Sequence, residues 1–242
     1  MIRMSLSKTE IVQQYVVKLI FTNDLVCGDS LMGENYLAKE LDVSRTSVRA
    51  ALQNLSSKGI ITIIPKSGSV VNSPEEWNWL DNAVLNWVAE FQVNDEIIGH
   101  LMATRLVFEP NIASLAAINA TGKDLALIEE AYDLMVKGVE LKDQEMMTKG
   151  DIRFHHSLLL ATHNPFLIAM GDALTTAMTV SFKQTCDNDL TLSKPALDEH
   201  FRVMDAVRMR EPESARNEMK MIVVNAINKV TNVANKYIKY IN

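Results

Sequence analysis

A chain of 242 residues, 48% of them hydrophobic, can bury a real core and is long enough for two domains, which excludes a disordered polypeptide. Its two cysteines, Cys27 and Cys186, stand far apart without a CxxC, so neither a disulfide framework nor a zinc ribbon is indicated and a reducing compartment fits. The net charge of −6 looks wrong for a nucleic-acid binder until it is split: residues 1–72 hold 8 Lys and Arg against 6 Asp and Glu, whereas residues 73–242 are acidic, with 16 against 24. MIRMSLSKTE has no apolar signal core, and no stretch approaches the roughly 18 apolar residues of a membrane span. The expectation is a soluble, cytoplasmic protein with no membrane partner.

In chain order, residues 8–22 predict a first helix with Ile11, Tyr15, Val16, Leu19 and Ile20 on one side. A loop with Gly28 and Gly33 follows, then a short helix over Glu34–Leu41 that turns Leu37, Ala38 and Leu41 inward. A third helix opens at Ser44. At 100° per residue, Val48, Ala51, Leu52 and Leu55 fall on one apolar face, and Arg45, Thr46, Arg49 and Gln53 gather on another. That polar face lies at the N-terminal end of a Ser-capped helix, where free N–H groups and the helix dipole favour phosphate. An amphipathic helix with two arginines is ordinary by itself. Here, however, two β-branched runs, Ile60–Ile64 and Ser69–Val71, flank Pro65-Lys66-Ser67-Gly68 and predict a hairpin. A helix-turn-helix followed by a hairpin reads as a winged helix, ending near Asn72.

Ser73-Pro74 begins a second region, residues 73–242, that reads as all-α. Helices are predicted over Trp79–Phe91, Asp95–Ala120, Lys123–Glu140, Gln144–Thr162, Phe166–Cys186, Lys194–Arg210 and Glu213–Tyr240. Trp77, Trp79 and Trp87 read as packing anchors and the thirteen methionines as core filler. All five histidines lie in this region. Asp151 and His155, spaced i, i+4, point toward a common spot: they are two metal ligands that His200 could join, or a surface Asp that merely fixes its histidine. Arg105 either pairs with Glu109 one turn away or projects into a cavity to bind a carboxylate. His163 belongs to a helix stop.

These residues carry a family resemblance. Gly28-Asp29-Ser30-Leu31, Leu37-Ala38, Val43 to Arg49, Ala51-Leu52, Gly59 and Gly68 resemble the winged helix of GntR-family transcription regulators. The helical remainder resembles the FCD ligand-sensing domain of their FadR-type branch. WNWLDNAVLNWV (Trp77–Val88) and DIRFHHSLLLATHNP (Asp151–Pro165) are similar to the members that repress sugar-acid operons such as that for galactonate. The resemblance implies a homodimer on double-stranded operator DNA, released by a sugar acid. It assigns DNA contact to Ser44, Arg45, Thr46, Ser47 and Arg49 and to Lys66, Ser67 and Gly68 at the wing tip. It assigns a divalent metal, zinc, to Asp151, His155 and His200, and the effector to that site together with Arg105. Two departures stand out: Ile222 occupies the place of a further histidine, with Asn225 one turn later, and Met32-Gly33 and Asn35 replace the usual residues around Glu34. A regulator answering to the metal ion itself is the alternative within this fold. A di-metal enzyme would need paired ExxH motifs, and none occurs. A hydrolytic zinc centre is the remote alternative, without an evident general base.

Overall fold

The computed structural model describes residues 6–91, 95–171 and 194–230. Ser7 opens α1 (Lys8–Phe21) with a capping box in which its hydroxyl accepts from the Glu10 N–H and the Glu10 carboxylate accepts from its own N–H. The buried stripe of α1 is Val12, Val16, Val17 and Ile20. The expected Ile11, Tyr15 and Leu19 are half-buried flanks, so the core-facing row lies one position on from the predicted one. After α2 (Glu34–Glu40), Ser44 caps α3 (Arg45–Ser57) by accepting from the Ser47 N–H at 3.0 Å. Val48, Ala51, Leu52 and Leu55 are buried, as the helical wheel requires.

Strands β1 (Ile61–Ile64) and β2 (Gly68–Val71) pair antiparallel, Ile61 opposite Val71 and Ile64 opposite Gly68. Between them the Ser67 N–H donates to the Ile64 carbonyl at 3.0 Å, with Pro65 next and Lys66 at φ 65. Proline followed by a positive φ is the pattern of a type II turn. The segment 28–31, expected as loop, runs along the other edge of β2: Leu31 N–H donates to Ser69 O and Val71 N–H to Asp29 O.

The hairpin does close at Asn72, but the chain then stays with the first unit. A 3-10 turn (Pro74–Glu76) leads to Trp77, which stacks on Phe21 with ring centroids 5.2 Å apart. Helix α4 (Asn82–Glu90) starts at Asp81, which accepts from the Ala83 and Val84 N–H groups. It begins later than expected because that cap, not the apolar pattern, sets its start. Trp77, Val84 and Trp87 complete the core of the winged helix. By compactness, the chain divides between Val93 and Asn94 rather than at residue 72.

The second unit is helical throughout its described residues: α5 (Asp95–Asn119), α6 (Gly122–Leu141), α7 (Gln144–Leu160), α8 (residues 165–171), α9 (Lys194–Arg208) and α10 (Pro212–Val230). Most of the predicted 166–186 helix and the end of the last one, beyond Val230, lie outside the described residues, as does Cys186. By length and apolar content, Glu96–Asn119 does reach a membrane-spanning helix, contrary to the expectation from sequence. It is instead a core helix, packed against α7, α9 and α10 and carrying a buried ion pair. Met102, Met135, Met147, Met204 and Met219 are buried, as expected of filler, whereas Met170, Met209 and Met221 are exposed.

Two glycines let α6 and α7 approach closely. A Cβ on Gly150 would lie 2.6 Å from the Met135 nitrogen, and one on Gly138 would collide with the backbone of Met147. Because Asp151 follows Gly150, this seam sets the height at which α7 presents its polar face. Gly150→Ala is expected to cost about 1–3 kcal/mol by overpacking. Denaturant unfolding of the full chain measures it, and an unchanged midpoint would remove this account of the seam.

Candidate functional site

The N-terminal unit exposes the face that the sequence assigns to DNA. Arg45, Thr46 and Arg49 are exposed on α3, and Lys66, Ser67 and Gly68 are exposed at the wing. Ser47 is half-buried, its hydroxyl 2.9 Å from that of Ser44. Ser44 is thus occupied as a cap and fixes the start of a helix whose first N–H groups lack intrahelical partners. Glu34, at the first position of α2, ion-pairs with Arg49 at 2.8 Å and Arg45 at 3.6 Å.

In the second unit, Asp151 and His155 of α7 meet His200 of α9, and one ligand atom from each lies within 4.8 Å of the others. All three side chains are buried, which removes the surface reading of the Asp151 and His155 pair. The Nδ1 of each histidine is engaged. His155 Nδ1 lies 3.0 Å from Glu109 Oε2, and His200 Nδ1 lies 2.7 Å from the Ala196 carbonyl. A carbonyl can only accept, so His200 carries a proton on Nδ1 and turns its Nε2 inward. That Nε2 is 2.9 Å from Asp151 Oδ1 yet makes no hydrogen bond, because the oxygen sits away from the direction in which a ring N–H would point. A buried ring nitrogen without a hydrogen-bond partner, beside a carboxylate and a second imidazole, could serve as one ligand of a metal ion.

Glu109 is the residue whose place in the site the sequence did not reveal. It was visible only as a helical neighbour of Arg105, and it is that: Arg105 Nε donates to Oε1 at 2.6 Å and a terminal nitrogen donates to Oε2 at 3.3 Å. The same carboxylate also holds His155, linking α5 to α7. Burial favours the neutral form of Glu109, but Arg105 and His155 outweigh it and hold the carboxyl down at about 2. Burial likewise opposes the charge on Asp151, and the His200 and His155 imidazoles with Arg105 outweigh it, so its pKa is lowered. For His200 burial disfavours the cation, while Asp151, the Ala196 carbonyl and Glu199 raise the pKa above its ordinary value. Two carboxylates against one guanidinium leave the network one positive charge short, which either a proton or a metal cation supplies.

Ile222 is buried and brings no donor. Asn225 donates from Nδ2 to Glu199 Oε1 at 2.6 Å. His163, at φ 53 just beyond α7, pairs through Nε2 with Asp124 at 2.8 Å, in keeping with a helix stop.

Comparison with known proteins gives this geometry its setting. Residues 8–71 match the family described as bacterial regulatory proteins, gntR family, and residues 100–225, over half of the chain, match the FCD domain. The chain belongs to the GntR family of regulators, in its FCD-containing form. A galactonate operon transcriptional repressor of Escherichia coli K12 is 30% identical over 95% of this chain and 100% of its own length. The transcriptional repressor NanR of Salmonella newport is 26% identical over 86% of this chain and 79% of its own. A solved structure described as Lar, which controls expression of the Listeria monocytogenes agr system, covers 97% of this chain and 98% of its own at a TM-score of 0.64 and 20% identity, a likeness of fold. Such members are DNA-binding transcription regulators and not enzymes, and so is this one. Its buried His/His/Asp cluster could coordinate a metal ion.

Glu109→Ala removes the carboxylate paired with the buried Arg105 guanidinium and is expected to destabilise the second unit by about 3–5 kcal/mol, while Arg105→Met combined with Glu109→Met recovers most of the loss. Because the folded carboxyl titrates below its ordinary value of 4.5, the stabilisation by Glu109 is complete above that pH and lost as pH falls toward about 2. Denaturant midpoints of the native chain and the single variant, measured from neutral pH downward, should converge across that window.

Proposed function

We propose that the chain is a homodimeric repressor that leaves its operator when a sugar acid binds beside a divalent cation held by Asp151, His155 and His200. One observation carries this reading: both imidazoles are anchored through Nδ1, and the buried His200 Nε2 has no hydrogen-bond partner. Zinc suits two nitrogens and one carboxylate oxygen, and with Ile222 supplying no donor, coordination positions stay open for water or an effector carboxylate. The metal's contribution is to bind that carboxylate and fix its orientation. Arg105 contributes positive charge to the acid's surroundings and holds Glu109, which in turn holds His155. Kinship with a galactonate operon repressor supports an aldonate as the acid.

On the DNA side, Arg45, Thr46, Ser47 and Arg49 enter the major groove from the helix that Ser44 caps. Lys66, Ser67 and Gly68 follow the sugar-phosphate backbone. Two copies meet the halves of a palindromic site. An acid that prefers the conformation less suited to DNA must weaken operator affinity by the same factor by which DNA weakens the acid.

The test is a titration of zinc-loaded protein, at fixed salt, onto an operator duplex that the native chain selects from a random pool, with a panel of aldonates and uronates. One acid should weaken binding by about tenfold or more, a coupling of roughly 1.4 kcal/mol. Chelation or His200→Ala should abolish that response. If chelation alone shifts operator affinity and no acid does, the metal ion is itself the signal, and if neither acts the reading falls.

A further inference from the structure

Glu34 reaches from the first turn of α2 across to α3. One oxygen, Oε2, accepts from Arg49 Nε at 2.8 Å and lies 3.6 Å from a terminal nitrogen of Arg45. The arginines stand four residues apart on one helix face, and their side chains are 59% and 58% exposed against 34% for Glu34. A pair this exposed adds little to stability. Its effect is on geometry and charge.

An arginine whose Nε–H is taken by a carboxylate has the plane of its guanidinium fixed and its opposite edge turned outward. That edge, with two terminal nitrogens, is the one that matches O6 and N7 of guanine. Fixing it before docking removes rotamer freedom that binding would otherwise have to remove. The same carboxylate offsets positive charge that would attract any phosphate regardless of sequence. Its position bears on this too. Glu34 and Arg49 share the wall of a groove of about 450 Å³ between α3 and the wing, where Gln53 and Lys66 also face. A backbone phosphate entering that groove meets a like charge beside Arg49.

We propose that Glu34 is a positioning residue for sequence reading: it orients Arg49 and Arg45 toward base edges and suppresses their indiscriminate attraction to phosphate. The proposal rests on the assignment of α3 as the DNA-reading helix, which Arg45→Ala and Arg49→Ala test separately.

Two variants of the full chain divide the roles. Glu34→Gln keeps an acceptor for Arg49 Nε and loses the charge, whereas Glu34→Ala loses both. Binding is measured on the selected operator duplex and on a scrambled duplex of equal composition over a range of salt. Glu34→Gln should bind the scrambled duplex about threefold tighter, with a salt slope steeper by up to roughly 0.9, the equivalent of one further phosphate. Glu34→Ala should add a loss of operator affinity, so that the operator-to-scrambled ratio falls about tenfold or more. The proposal is overturned if both variants keep the native ratio and slope. It is also overturned if both weaken the two duplexes equally with a lowered unfolding temperature, or if discrimination is lost at one cytosine alone, which would make Glu34 a direct reader. If the arginine variants lose discrimination and the Glu34 variants do not, α3 remains the reading helix and only the role of Glu34 fails. If the arginine variants keep full discrimination, both fall together.

Discussion

The second unit depends on a charge cluster that burial has made indivisible. Arg105 and Glu109 are each under 8% exposed, and each supports the ionised form of the other. Glu109 then orients His155, and across the site Asp151 lies against His200, whose far nitrogen is tied to its own helix. Three helices, α5, α7 and α9, are therefore held in register by groups that would be costly to leave unsatisfied. Hydrophobic packing alone tolerates repacking; a buried polar network fixes one arrangement. The close approach of α6 to α7 at Gly138 and Gly150 supports the same arrangement from behind.

The first unit uses its polar groups in the opposite way. Its core is an apolar cluster from Val12 to Trp87, and none of its described charged side chains is fully buried. Partly buried Lys58 lies 2.6 Å from Asp81 and ties the end of α3 to the cap of α4. Burial raises the Asp81 pKa, but Lys58 and the Ala83 and Val84 N–H groups outweigh it and leave it lowered, so the cap is charged when it is needed. Rigidity thus reaches α3 from behind while its outward face stays open.

Much of this was legible in local spacing. The Ser44 cap, the Val48, Ala51, Leu52 and Leu55 face and the i, i+4 pair of Asp151 and His155 are consequences of helix geometry that any helix obeys. What spacing misjudged was a matter of degree or distance. The stripe on α1 was displaced because half-buried Ile11, Tyr15 and Leu19 are as apolar as the residues that face the core. The pairing of residues 28–31 with β2 joins segments some 40 residues apart and leaves no periodic trace. Glu109 is the most telling case. Its i, i+4 relation to Arg105 was visible, but its second partner lies on another helix, and a one-dimensional pattern cannot assign one carboxylate to two elements. His200, remote in sequence from Asp151, could be offered as a third ligand from its chemistry alone, and no spacing placed it at the site.

Helix α5 gives that network a reach beyond its own site. The helix begins at Asp95, immediately after the division between the two units, and Arg105 lies ten residues further on. At 1.5 Å per residue that is a rod of about 15 Å. The start of the helix and the polar site are thus joined by one uninterrupted length of helical backbone. Pro110, next to Glu109, offers no N–H to the carbonyl one turn before it, so the first missing rung of the ladder falls at the carboxylate end of this rod and not along its span.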